Sequence, residues 1–376
     1  MRLADLPTPA LVLDRARLRR NIQAMTDRYK KLGIRLRPHL KTAKSVDVAR
    51  MAVSGHFGGI TVSTLKEAGH FAANGFTDIL YAVCVAPGKL DQAAAIVTSG
   101  VALMLITDDP EAAKAIAARG KDLGVVFDVL IEVDCGEKRS GVPVDSDVLM
   151  GIARTLHAGP GSRLAGIMVH AGHSYTCRTL DAVAEIAEAE RSTGVRAAER
   201  LKAAGLPCGT VSIGSTPTAL HGKRYDGITE VRCGVYMFGD LFQSEIGSCG
   251  PGDIAVSVLS SVIGQRRPEN RVLIDAGFLA LSKDRSTANT PHDVGFGRVA
   301  DMGGTLGLGD VTVVGVHQEH GMVEGRTPLP FDRLPVGARV RVLPNHACIT
   351  SAAYDRSHVI DGSDEVVAVW PRCNGW

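Results

Sequence analysis

From about residue 10 to about residue 240 the sequence alternates between short runs rich in Val, Ile and Leu and Ala-rich stretches whose apolar residues recur at helical spacing. A lead strand, ALVLD, and an amphipathic helix ending near residue 32 come first. Eight strand candidates then follow in order: RLRPHLK, GGITVST, DILYAV, ALMLIT, VVFDVLIEVD, RLAGIMVH, TVSIGS and EVRCGVYMF. The intervening segments, such as STLKEAGHFAANG and DPEAAKAIAARGKDLG, often finish in Gly, as helices do. Eight strands alternating with helices are satisfied most simply by a parallel sheet closed into a (β/α)8 barrel of the TIM type. An open doubly wound sheet is the alternative, but no GxGxxG follows the first strand, where a dinucleotide-binding fold carries it.

Beyond about residue 250 the texture changes. IAVSVLSSVIGQ, NRVLIDAGFLAL, GDVTVVGVHQEHG, ARVRVLPNHACIT and DEVVAVWPR are β runs separated by Gly, Pro and charged turns, which predicts a mainly antiparallel domain. The expected division is a lead strand over 1–15 joining the β domain, a barrel over 16–245 and the β domain over 246–376. A chain of 376 residues with 45% hydrophobic content can bury a core of that size. Lys and Arg number 42 against 40 Asp and Glu, with no basic face, so nucleic acid and anionic membrane are poor partners. No signal peptide or membrane-length run is present, which predicts a soluble, cytoplasmic protein. The eight cysteines include no CxxC pair and suit reduced thiols.

Chemistry in a (β/α)8 barrel gathers where strands finish, so the residues at those points carry the functional signal. The first strand is expected to finish at Lys41, with Lys44 close behind; an isolated lysine there more often snorkels to solvent, and its company shifts the balance. The fifth is followed by CGEKRSGV, which carries Arg139 in a tight loop. The sixth ends in VHAGHSY, with His170 and His173 flanking a glycine. The seventh ends in IGSTPT, whose Gly214, Ser215 and Thr216 could meet a phosphate or simply begin a helix. The eighth contributes Arg232 and Gly234. Phosphate sites in this fold favour the loops after strands seven and eight. A lysine, a phosphate cradle, and His and Arg between them together describe a holder for a phosphorylated aldehyde, and pyridoxal phosphate fits. In the β domain, PNHACIT sets His346 and Cys348 two apart on an expected strand, facing the same way. The pair could hold a metal, or be a capping histidine beside a buried cysteine, since two ligands fall short of the usual zinc set. HQEHG supplies Gln318 and His320, readable as substrate contacts or as an ordinary surface loop.

Taken together, RPHLKTAKS, GITVSTLKEA, GSTPT, VRCGVY and LPNHACIT resemble the D-serine dehydratase and D-threonine aldolase family, relatives of alanine racemase, over essentially the whole chain. The resemblance implies an alanine racemase-like barrel plus β domain, with Lys41 carrying pyridoxal phosphate and Lys44 as the secondary candidate. It implies Arg139 facing the cofactor's phenolic oxygen and His170 near its ring. Ser215, Thr216 and the Gly234–Val235 amides would bind the phosphate, Tyr175 and Tyr236 would line the site, and Arg232 would face the pyridine nitrogen. It further implies a divalent ion on His346 and Cys348, with zinc favoured by the thiolate and manganese, cobalt or magnesium as working alternatives. A homodimer and a small D-amino acid substrate are expected on the same ground. Such a site can eliminate the β-hydroxyl or cleave the Cα–Cβ bond. Elimination is favoured by Cys348, where other members carry Asp, and by Arg232, since an arginine leaves the pyridine nitrogen unprotonated and so weakens the electron sink that a glycine carbanion needs most. A metal-free racemase and a non-catalytic carrier of pyridoxal phosphate share the barrel; the carrier lacks the second domain.

Overall fold

A computed structural model describes all 376 residues, and the chain divides into two compact units, residues 25–234 with 375–376, and residues 1–24 with 235–374. The strands in chain order begin with β1 (Ala10–Asp14), β2 (Arg35–Pro38), β3 (Ile60–Val62), β4 (Asp78–Cys84), β5 (Ala102–Thr107) and β6 (Phe127–Asp134). They continue with β7 (Val142–Pro143), β8 (Ser162–Val169), β9 (Thr210–Ile213) and β10 (Glu230–Cys233).

In the first unit β2, β10, β9, β8, β6, β5, β4 and β3 are neighbours in that order, all paired in parallel, with the short β7 lying beside β6. The ring closes where His39 bridges to Thr61 and the Leu40 N–H donates to the Thr61 carbonyl at 2.8 Å. This is the closed (β/α)8 barrel and excludes the open sheet. Parallel strands covered by helices are apolar almost throughout: Leu80, Ile106, Leu130 and Met168, from β4, β5, β6 and β8, form one buried cluster. The helices start where the sequence supplies side-chain acceptors. Thr64, Asp109, Ser146 and Thr179 cap the helices Leu65–Ala73, Pro110–Leu123, Asp147–Ala158 and Leu180–Ala203. Pro110–Leu123 stops at Gly124, whose φ of 68° only glycine adopts without cost.

In the second unit the strands are β11 (Val256–Arg266), β12 (Arg271–Ile274), β13 (Gly297–Ala300), β14 (Val311–Val316), β15 (Gly321–Gly325), β16 (Arg339–Pro344), β17 (Arg356–Ile360) and β18 (Val366–Pro371). They form one sheet in the order β12, β15, β14, β13, β16, β11, β1, β17, β18, and an extra pairing of β12 with β11 closes part of it into a small barrel. All contacts are antiparallel except β1 with β17. The lead strand β1 is therefore a central member of this sheet, which explains its uninterrupted burial. No helix is long and apolar enough to cross a membrane, and no disulfide joins the cysteines.

Candidate active site

Lys41 does not end a strand. The ladder of β2 stops at Pro38, and Lys41 lies exposed in the turn that follows. Its neighbour Lys44 is engaged differently: the Nζ pairs at 3.1 Å with Oε1 of Glu67, which is completely buried. That commitment leaves Lys41 as the available amine. The Lys41 N–H donates to Nδ1 of His39 at 3.4 Å. Burial, and then the cations Lys41 and Arg232, hold His39 well below the ordinary imidazole range.

His170 follows β8 and its Nδ1–H donates to the Gly214 carbonyl at 2.9 Å, which leaves Nε2 without a proton. Burial and the nearby Arg232 lower its pKa to about 3, with Lys41 and Arg139 acting in the same direction. One neutral imidazole thus senses Lys41, Arg139 and Arg232 together. Arg232 is buried; its Nε donates to Ser212 Oγ at 3.0 Å and its Nη2 to the Val169 carbonyl at 2.6 Å. Burial pulls its pKa down, opposed by Glu190, Glu230 and Glu132. Arg139 is 56% exposed and leans toward Glu137 (3.4 Å) and Glu132 (4.0 Å).

The turn after β9 combines both readings of its sequence. Ser215 caps the short helix Thr216–His221 in a reciprocal pair with Thr218, and also bonds Ser174 Oγ at 2.9 Å. Gly214 has a φ of 130° and approaches the Arg232 carbonyl so closely that a Cβ would lie 2.3 Å from it. Thr216 is buried and its Oγ1 has no hydrogen-bond partner. A Cβ at Gly234 would strike the His39 carbonyl at 2.4 Å. Tyr175 lies half-buried in the 3-10 turn Gly172–Thr176, and Val235 and Tyr236 open a buried one, Val235–Met237. An orphaned hydroxyl, a glycine-lined turn and converging cations fit an anionic cofactor with an aldehyde for Lys41.

In the second unit the expected strand through His346 and Cys348 is absent. β16 stops at Pro344, His346 is the extended N-cap of the helix Ala347–Ala352, and Cys348 lies in its first turn. Asp240 forces the change: its Oδ2 accepts the Ala347 N–H at 2.9 Å, while Oδ1 accepts that of Gln243 at 2.7 Å. The two donor side chains still meet, because Cys348 lies within hydrogen-bonding reach of the His346 ring. Nδ1 of that ring bonds Asp284. Burial opposes charge on His346, but Asp284 and Cys348 outweigh it and push the pKa up to about 11. An imidazole and a thiol side by side suit a borderline-soft divalent ion. Gln318 and His320 lie exposed in the hairpin turn between β14 and β15.

Several functional candidates had little or no sequence signal. His39 stands inside the RPHLK run, but Asp284 and Asp240 belong to no motif. Glu190 is a carboxylate on the buried side of Leu180–Ala203, and its Oε1 accepts the N–H groups of Ala171 and Gly214, both at 2.9 Å. Cys84, Asp108 and Glu132 also cluster, but Ser140, Gly141 and the Cys84 thiol already bond the two carboxylates.

Residues 13–241 match the alanine racemase N-terminal domain and residues 255–360 a serine dehydratase domain. The chain belongs to the D-serine dehydratase and D-threonine aldolase family. It is 48% identical to D-threo-3-hydroxyaspartate dehydratase of Delftia sp. (strain HT23), over 100% of this chain and 99% of that one. D-serine dehydratase of Dictyostelium discoideum is 30% identical, over 99% and 98%. A solved structure of a D-threo-3-hydroxyaspartate dehydratase variant in its metal-free form superposes with a TM-score of 0.97 at 47% identity, covering 100% of both chains. D-threonine aldolase from Filomicrobium marinum superposes with a TM-score of 0.85 at 25% identity, over 99% and 96%. Members of this family are lyases built on the alanine racemase-like fold and dependent on pyridoxal phosphate, and this chain is a lyase.

Proposed function

We propose that the chain is a pyridoxal phosphate- and divalent metal-dependent dehydratase. It removes water from a D-β-hydroxy-α-amino acid of the D-threo-3-hydroxyaspartate or D-serine type, giving a 2-oxo acid and ammonia. The observation that carries this reading is Lys41, an exposed amine without an ion pair, set beside His39, His170 and Arg232 while Lys44 is consumed by Glu67. When bound, pyridoxal phosphate supplies an electron sink for charge at Cα, and a divalent ion supplies a Lewis acid for a β-hydroxyl.

The chain's own residues then divide the work. Lys41 holds the cofactor and its Nζ takes the Cα proton. Arg139, Ser215, Thr216, Gly234, Val235, Tyr175 and Tyr236 would bind and orient it, together with His170 as a neutral imidazole. Arg232, anchored by Ser212 and Val169, would face the pyridine nitrogen as a charged hydrogen-bond donor and so leave that nitrogen unprotonated. His346 and Cys348 hold the metal, zinc being favoured by the thiolate over manganese, cobalt or magnesium. Gln318 and His320 contact the substrate. The barrel, residues 16–245, is assigned to the cofactor, and the β domain, 246–376, to the metal, in a cytoplasmic homodimer that acts on a small molecule and not on nucleic acid or membrane.

Retro-aldol cleavage to glycine and an aldehyde is the second reading, and the full-length likeness to D-threonine aldolase supports it. The Lys41→Ala variant tests the cofactor assignment. Borohydride reduction should fix pyridoxal phosphate to the wild type and not to the variant, which should also lack turnover. Cofactor fixed to another lysine in Lys41→Ala, or retained activity, would sink it.

A further inference from the structure

Whichever reaction the site performs, its metal pair can work only if the imidazole of His346 presents a defined nitrogen. His346 and Cys348 alone stand out in the sequence, yet the structure surrounds the histidine with a support from a distant loop. Nδ1 of His346 is hydrogen-bonded to Oδ2 of Asp284 and lies 3.4 Å from Ser286 Oγ. Asp284 is itself fixed, since its Oδ1 accepts Ser286 Oγ–H at 2.9 Å and its N–H donates to Ser282 Oγ at 2.9 Å.

The loop that carries Asp284 is stitched to the residue next to the histidine. Asn345, buried, donates to Thr287 Oγ1 at 2.7 Å and accepts the Thr287 N–H at 3.3 Å. Thr287 Oγ1 in turn donates to Asp293 at 3.0 Å. Backbone on one side and carboxylate on the other therefore hold the ring in one orientation. A nitrogen bonded to a carboxylate is not free to bind a cation, so the opposite nitrogen, Nε2, is left to act with the Cys348 sulfur.

We propose that Asp284 is a positioning residue for the metal site: by accepting the Nδ1–H of His346 it fixes the tautomer and rotation that present Nε2 beside the Cys348 thiolate. This rests on the reading that His346 and Cys348 bind a divalent ion. A carboxylate behind a metal-binding histidine restricts the ring and raises its basicity, and losing such a partner typically weakens metal binding by about 10–100-fold.

The test uses the full chain loaded with pyridoxal phosphate. Zn²⁺ or Co²⁺ is titrated in competition with a chromophoric chelator, so that affinity is read without turnover. Asp284→Asn and Asp284→Ala should bind each ion about 10–100-fold more weakly than wild type, while Asp284→Glu recovers part of the loss. Cofactor absorbance and thermal midpoint should stay near wild type in the isosteric Asp284→Asn. At saturating Co²⁺ the cobalt–thiolate absorption band should still develop, because Asp284 acts through His346 and not as a ligand. Unchanged affinity in both variants, or absence of that band at saturation, would overturn the inference. If wild type and Cys348→Ala bind the ions equally, the metal assignment fails instead.

Discussion

Lys41 and Lys44 lie three positions apart in one turn, and their surroundings give them separate work. Lys44 neutralises Glu67, a carboxylate with no exposure that also accepts the Ser63 N–H and the Thr64 hydroxyl. Lys44→Met should therefore lower unfolding stability by about 3–5 kcal/mol, the usual consequence of stranding a buried charge. Lys41→Ala, which in the cofactor-free protein removes only an exposed side chain, should change it by no more than about 0.5 kcal/mol. Urea midpoints of both variants check the contrast, and equal losses would show that the two lysines are not distinguished. His170 predicts a pH dependence. It titrates near 6.5 in the unfolded chain and at about 3 in the folded one, so between these values the unfolded chain binds more protons. Stability should fall as pH drops through 6.5, reinforced by His39, which is shifted the same way. His170→Asn should flatten that fall when midpoints are compared from about pH 7 to about pH 5.

Elements differ in how plainly the sequence announces them. The barrel strands were legible because parallel strands buried on both faces are short apolar runs, and each is punctuated by a capped helix. Boundaries were less so: the run EVRCGVYMF contains a strand only to Cys233, after which Val235–Met237 turns as a 3-10 helix. The strands Gly297–Ala300, Gly321–Gly325 and Arg356–Ile360 escaped because each carries few apolar residues and depends on partners distant in sequence. The helix after His346 escaped for a related reason. NHACIT contains β-branched residues that suit a strand, and the helix start is imposed by Asp240, 107 positions away from Ala347. Helix packing in the barrel offers an element-scale test. A Cβ at Gly161 would lie 2.1 Å from the Lys121 backbone nitrogen in Pro110–Leu123. Gly161→Ala should cost about 1–3 kcal/mol in a urea melt, because backbone cannot yield as a flexible side chain can.

At the scale of the whole molecule, the proposed cofactor and metal would allow two outcomes, and the chain's own residues bias the choice. Arg232 keeps a charged donor inside the barrel, held by Ser212 and Val169, and the proposed metal pair contains a thiol where an aspartate is the alternative. Both features were legible in the sequence as residue types; the turn that presents Lys41 and the carboxylate behind His346 were not, because they depend on loops that only the fold brings together. Removing the metal with a chelator should abolish turnover and leave the cofactor absorbance in place, with activity restored by zinc or manganese; full activity after complete metal removal would point to a racemase-like enzyme. The decisive measurement is product analysis of the purified, cofactor- and metal-loaded protein incubated in parallel with D-threo-3-hydroxyaspartate, D-serine and D-threonine. A dehydratase yields ammonia and a 2-oxo acid from the first two, which is the predicted result; glycine and an aldehyde would contradict it and identify an aldolase.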